Sequence, residues 1–165
     1  GSAEISDGDG AYRQWQEIKR REKGGNGSLL GELPRGLPAL VAAYRLQEKA
    51  GAVGFDWPNA DGAFGKIREE LGELESARQS DTTPEVAHEV GDLLFAVVNA
   101  SRHLRVDPER ELRVAAHRFR DRFHHIERRL SERGRTPAQA TLEEMDELWN
   151  EAKRLSAPPK NEEKS

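Results

Sequence analysis

Apolar residues recur along this chain at helical spacing, and no stretch alternates apolar and polar residues as a half-buried strand would. From Ala60 to about Arg78, Phe64, Ile67, Leu71 and Leu74 fall at i, i+3, i+7 and i+10, one stripe along a helix. Thr83 reads as an N-cap and Pro84 as the first helical residue of the next element. That helix runs to about Arg105 and carries Val86, Val90, Leu93, Leu94, Val97 and Leu104, the richest apolar set in the chain. Asp107 caps a further helix that reaches about Glu132 and stops at Gly134, with Leu112, Ala115, Ala116, Phe119, Phe123, Ile126 and Leu130 as its stripe. Upstream, Pro38 sits in the first turn of a helix that runs to about Val53, closed by Gly51 and Gly54. Downstream, Thr141 and Glu144 match a capping box, which predicts a last helix with Leu142, Met145, Leu148 and Trp149 facing inward. The pattern is all-α, an antiparallel bundle of about five helices with short connections.

Residues 1–34 read as a flexible lead-in with a short helix over Tyr12–Lys23, broken by Gly24-Gly25-Asn26-Gly27. Residues 35–155 form the domain, and 156–165 read as a disordered, solvated tail.

Composition adds a partner to this picture. Of 165 residues, 35% are hydrophobic and 34% charged, against roughly 25% charged in a typical domain. The 26 basic and 30 acidic residues nearly cancel, leaving −4. One chain therefore has a modest core, and burial against a second copy is expected. No apolar run approaches the ~18 residues of a membrane span, and no secretory signal is visible. With no cysteine, disulfides, cysteine zinc sites and thiol nucleophiles are excluded. A pI near 5.8 argues against a nucleic-acid partner. No H-E-x-x-H, Rossmann or P-loop pattern is present, and the five histidines receive no role.

The informative residues are acids at the margins of two apolar stripes. Glu70 and Glu73 share a helix face, with Glu69 beside them; Glu89 and Asp92 do the same on the next helix, and Asn99 lies near their line. One such pair on a charged helix is usually a solvated face. Two pairs on consecutive helices would converge if the helices pack, and would repel and raise one another's pKa. A hard divalent cation with oxygen ligands relieves that repulsion. The competing reading is ion pairing, with Lys66 four residues before Glu70. Arg118 and Arg122, four apart, and Lys153, four after Trp149, suit phosphate oxygens, although most arginines on that helix must face solvent or acids. Phe119 and Phe123 read as core, and Trp149 more readily as core than as a stacking surface.

Several segments resemble MazG-type nucleoside triphosphate pyrophosphohydrolases of the all-α NTP pyrophosphatase superfamily. They are Leu37-Pro38-Ala39-Leu40, Gln47-Glu48-Lys49-Ala50 and Val53-Gly54-Phe55-Asp56-Trp57, followed by the acidic motifs Ile67–Leu74 and Glu89–Phe95. Val98–Leu104, Arg118-Phe119-x-x-Arg122-Phe123 and Trp149-x-x-x-Lys153 continue the likeness, which covers about residues 34–155. The resemblance implies a bundle that dimerises, hydrolysis of NTP to NMP and diphosphate, and a nucleotide-pool role in the cytoplasm. It implies Mg²⁺, with Mn²⁺ able to substitute, held by Glu70, Glu73, Glu89 and Asp92. By the same route Asn99 becomes a support of the metal ligands or a substrate contact, and Lys66, Arg118, Arg122, Trp149 and Lys153 become substrate contacts. Arg118 stands where relatives often carry Lys, a planar fork for a point charge. Arg45, Gln47, Lys49 and the Phe55–Trp57 turn become candidates for the nucleoside side. Trp15–Glu22 resembles the connector between tandem domains of longer members. Two other functions compete: a non-catalytic helical dimer serving as an interaction module, and a narrower hydrolase of dUTP or phosphoribosyl-ATP.

Overall fold

A computed structural model describes residues 27–33, 35–80 and 83–157. The lead-in helix expected at Tyr12–Lys23 and nearly all of the tail lie outside these. Among the described residues there are five α-helices and no strand: α1 Ala39–Gly51, α2 Ala60–Ser80, α3 Thr83–His103, α4 Pro108–Ser131 and α5 Leu142–Ser156, with a 3₁₀ turn at Pro137–Gln139. The all-α expectation holds, and each boundary falls within a few residues of its sequence signal. Two compact units divide at Glu109 and Arg110.

In the first unit, α2 and α3 are equal in length and packed side by side, and α1 packs on α3. Small residues make this close approach possible: Ala42, Ala63, Ala77, Ala96 and Ala100 are buried with Val98. The expected stripe residues instead flank the contact. Phe64, Leu71, Val90, Leu94 and Val97 all remain exposed, because helices that meet through alanine leave their larger neighbours beside the seam.

Three helices end in the same way. In α1, Phe55 N–H reaches Ala50 O and Gly54 N–H reaches Gly51 O, a Schellman pair whose left-handed residue is Gly54 at φ 91°. In α4 the equivalent bonds are Arg135 to Leu130 and Gly134 to Ser131, with Gly134 at φ 65°. In α3 they are Val106 to Ser101 and Arg105 to Arg102. There the left-handed position is Arg105 at φ 58°, a conformation that costs a side-chain-bearing residue roughly 1 kcal/mol.

The second unit has a larger-residue core. Ile126, Leu130 and Leu148 are buried, and Phe123, Met145 and Trp149 pack against them. The Thr141–Glu144 capping box forms as its sequence indicates: Thr141 N–H donates to Glu144 Oε2 at 2.9 Å, and Glu144 N–H to Thr141 Oγ1 at 3.2 Å. Four expected inward positions fail here: Leu112 is 58% exposed, Phe119 61% and Leu142 72%, and Ala116 is exposed as well. The inner stripe of α4 begins at Phe123, so Phe119 lies one turn too early, and Leu142 lies in the first turn of α5, before the packed stretch.

Candidate active site

The acids of α2 and α3 converge. Ligand oxygens of Glu70, Glu89 and Asp92 lie within 4.8 Å of one another, as do those of Glu69, Glu70 and Glu73. Glu70 belongs to both groups and is the most buried of them, at 3% exposure. Its place follows from register: Glu70 lies seven residues after buried Ala63 and seven before buried Ala77, so the seam of α2 carries it into the interface.

Lys66 answers part of this charge. Its ammonium stands 2.5 Å from Glu70 Oε1 and 2.9 Å from Glu69 Oε1. The hydrogen bond from Lys66 holds the Glu70 carboxyl below the usual range, against the opposing effect of burial. The charge of Glu70, with burial and the charge of Glu89, pushes Glu73 up. His88 stands 3.1 Å from Asp92 Oδ2. The ion-pair reading of Lys66 is thus correct for one oxygen of Glu70, and it leaves the cluster short of positive charge. Glu70 Oε2 and Glu89 Oε2 are buried with no hydrogen-bond partner. Buried carboxylate oxygens without donors are costly, and a set of convergent hard oxygens fits Mg²⁺ or Mn²⁺.

A cleft of about 680 Å³ opens on this cluster, with Glu70, Asp92, Lys66 and Asn99 in its lining, a size suited to a small-molecule ligand. Phe55, Asp56 and Trp57 form another part of its wall, and Gln47 lines it while donating to Phe95 O at 2.9 Å. Glu73 and Glu89 line a separate acidic groove. Of the weaker nucleoside-side candidates, Gln47 and the Phe55–Trp57 turn reach the cleft. Lys49 instead donates to Leu30 O, and Arg45 is exposed outside the lining.

The remaining candidates belong to the second unit. Arg118 and Arg122 line a groove with Arg128, His117, His124 and His125. The Arg122 guanidinium lies over the Trp149 ring, 5.5 Å from its centroid, and its Nε is buried without a partner. Phe119 meets Trp149 at 5.2 Å between centroids. Lys153 is exposed on α5. Trp149 is therefore partly core, as expected, and also the platform for an arginine.

Arg102 and His103 carried no role in the sequence reading. Asp56 Oδ1 receives Arg102 Nη2 at 2.5 Å and lies 2.9 Å from His103 Nε2. Arg102 also donates to Asn99 Oδ1, from Nη2 at 2.9 Å and Nε at 3.3 Å. The three-residue spacing of Asn99 and Arg102 was a visible signal; the reach to Asp56, 46 positions away, was not.

The amino-acid sequence of this chain matches known proteins. A family model described as phosphoribosyl-ATP pyrophosphohydrolase matches residues 59–119, a stretch holding all four acids. A Thermotoga maritima protein named nucleoside triphosphate pyrophosphohydrolase/pyrophosphatase MazG is 44% identical over 87% of this chain. An Escherichia coli K12 nucleoside triphosphate pyrophosphohydrolase is 38% identical over 86%. An uncharacterized Bacillus subtilis protein, YabN, is 40% identical over 90%. Over most of its length the chain is similar to proteins named nucleoside triphosphate pyrophosphohydrolase. It spans 55% of the length of the Thermotoga and Escherichia relatives and 31% of YabN.

Proposed function

We propose that this chain is a Mg²⁺-dependent pyrophosphohydrolase that converts NTP or dNTP and water to the monophosphate and diphosphate, as a nucleotide-pool enzyme of the cytoplasm, with 35–155 as its catalytic domain. The observation that carries the reading is the convergence of Glu70, Glu89 and Asp92, two of which, Glu70 and Asp92, line the cleft, with two buried oxygens lacking donors. The names of the relatives support it.

Glu70, Glu73, Glu89 and Asp92 would hold the metal. When bound, the ion supplies charge neutralisation for the phosphates and acidifies water. The chain's own residues then do the following. Lys66 is the cation nearest the acids, and it balances part of their charge while facing phosphate oxygens in the cleft. Asn99 contacts the nucleotide. Glu70 or Glu73 accepts the proton of the attacking water at a carboxylate oxygen. Attack falls on the α-phosphorus, and diphosphate leaves. The resemblance assigns Arg118, Arg122 and Lys153 to the triphosphate, with Trp149 beside it.

The protein acts as a homodimer. Support comes from exposed apolar residues at helical spacing, Phe64 and Leu71 on α2 and Val90, Leu94 and Val97 on α3, a pattern that marks an interface. Among the described residues no helix is long and apolar enough to cross a membrane. Nucleic acid has no part in this reading.

The test is a panel of NTPs and dNTPs with and without Mg²⁺, with diphosphate and orthophosphate read separately. Mg²⁺-dependent diphosphate with matching monophosphate is expected. Orthophosphate alone, or turnover equal in chelator, would refute the reaction. The matching family model, described as phosphoribosyl-ATP pyrophosphohydrolase, favours phosphoribosyl-ATP as one further substrate, and exclusive turnover of it would narrow the reading to that compound.

A further inference from the structure

The Phe55–Trp57 loop is fixed by more than the chain ends beside it. Asp56 Oδ1 takes the Arg102 guanidinium and its own neighbour's amide, Trp57 N–H, at 2.8 Å. A Cβ on Gly51 would stand 3.1 Å from Asp56 Oδ2, and one on Gly62 would stand 2.6 Å from the Trp57 ring. Two glycines therefore make room, one for the carboxylate and one for the indole. Burial alone would push the Asp56 carboxyl up, and hydrogen bonds from Arg102 and His103, with their charges, outweigh it. The carboxylate is ionised at neutral pH, and Arg102 and Asp56 form a charge-assisted tie between α3 and the loop.

The same guanidinium decides which way Asn99 faces. An amide has an acceptor end and a donor end, and arginine can only donate. Arg102 holds Asn99 Oδ1 through two nitrogens, so the end left for the cleft is the NH₂ group. No residue among those described takes a hydrogen bond from it.

We propose that Arg102 is a positioning residue of the cleft, which seats the Phe55–Trp57 wall through Asp56 and turns the Asn99 NH₂ outward as a donor to an acceptor oxygen of the nucleotide. This rests on the nucleotide reading above. It assigns Arg102 no contact with substrate. Its effect passes through Asn99 and the loop, and the bound atom opposite Asn99 must be an acceptor, such as a carbonyl, hydroxyl or phosphoryl oxygen.

Two measurements on the full chain test it, one of them independent of turnover. With Trp15 and Trp149 replaced by Phe, emission reports Trp57 alone. Arg102→Met should shift that emission to the red and raise its quenching by acrylamide. In a nitrogen-15 spectrum of the otherwise unaltered chain, the same variant should move the Asn99 side-chain amide signal. Unchanged emission and an unmoved amide signal would overturn the proposal. The second measurement is a double-mutant cycle. Arg102→Met should raise KM about tenfold, the scale of one lost charged hydrogen bond, and Asn99→Ala should do the same. In the Asn99→Ala background, Arg102→Met should add less than about a threefold further effect. Fully additive effects on KM, or an Arg102→Met variant that loses thermal stability at parental KM, would make Arg102 merely structural. A parent chain that turns over no nucleotide would sink the activity reading, while the emission and amide signals would still judge the tie.

Discussion

The two units bury opposite kinds of residue. Around α4 and α5 the centre is Ile126, Leu130 and Leu148, large side chains that stabilise by leaving water. Around α2 and α3 the centre is alanine, one valine and the carboxylate of Glu70, while leucines and valines of the same helices stay exposed. The second arrangement is poor for stability and good for chemistry. Small residues bring two helices close enough for acids from both to meet, at the expense of apolar burial. The difference separates a unit centred on large apolar side chains from one whose centre brings carboxylates together.

Substitutions at the acid centre should have the largest effect. Glu73→Gln or Asp92→Asn is expected to reduce kcat by about a hundredfold or more, the scale seen when a group acting on the transition state is removed, with circular dichroism and solution mass unchanged. Steady-state kinetics at parental turnover for either variant would remove the acids from the site.

Next come the two centres as sources of stability. Leu148→Ala should cost about 2–5 kcal/mol in urea unfolding. In the first unit the corresponding lever is the metal. A hundredfold excess over its Kd should add about 2.7 kcal/mol, and chelator should remove it. Glu70→Gln should abolish this gain, whereas Leu148→Ala should keep it. Equal metal stabilisation of parent and Glu70→Gln, measured by scanning calorimetry, would break the contrast.

The exposed stripe offers a third test. Leu94→Glu should shift the species in analytical ultracentrifugation from dimer to monomer, because a charge placed in an apolar interface is left unpaired. A parent that sediments as a monomer would leave the stripe of α2 and α3 without a partner copy.

Acid should weaken the second unit through Glu144. The hydrogen bond from Arg135, with the Thr141 amide, holds its carboxyl down to about 2 from an ordinary 4.5. A folded-state pKa below the unfolded value means stability present above about 4.5 and lost as pH falls toward 2. Arg135→Ala should flatten that part of the pH–stability curve. The smallest effect is at Arg105, whose left-handed backbone suits glycine. Arg105→Gly should gain up to about 1 kcal/mol, read as a small rise in melting temperature.

Much of this was legible in the sequence, for reasons that differ by residue. Helix ends were legible because caps are local: Thr141 and Glu144 are three residues apart and bond each other. The acid pairs were legible because one-turn spacing puts both on one face whatever they pack against. Exposure of Phe119 was not, since the apolar stripe of α4 continues past the point where its packing partner ends. Nor did the stripe on α2 show that alanines, and not Phe64 and Leu71, would form its seam with α3. Arg102 was quoted within a motif and given no task, because its use depends on Asp56, which lies on a loop outside helical periodicity.

In the proposed reaction water attacks the α-phosphorus of a nucleoside triphosphate at the acid centre. Turnover in oxygen-18 water, followed by mass spectrometry of both products, tests it most directly. One labelled oxygen is expected in the monophosphate and none in the diphosphate. Label in diphosphate or orthophosphate would place the attack on a different phosphorus and contradict it.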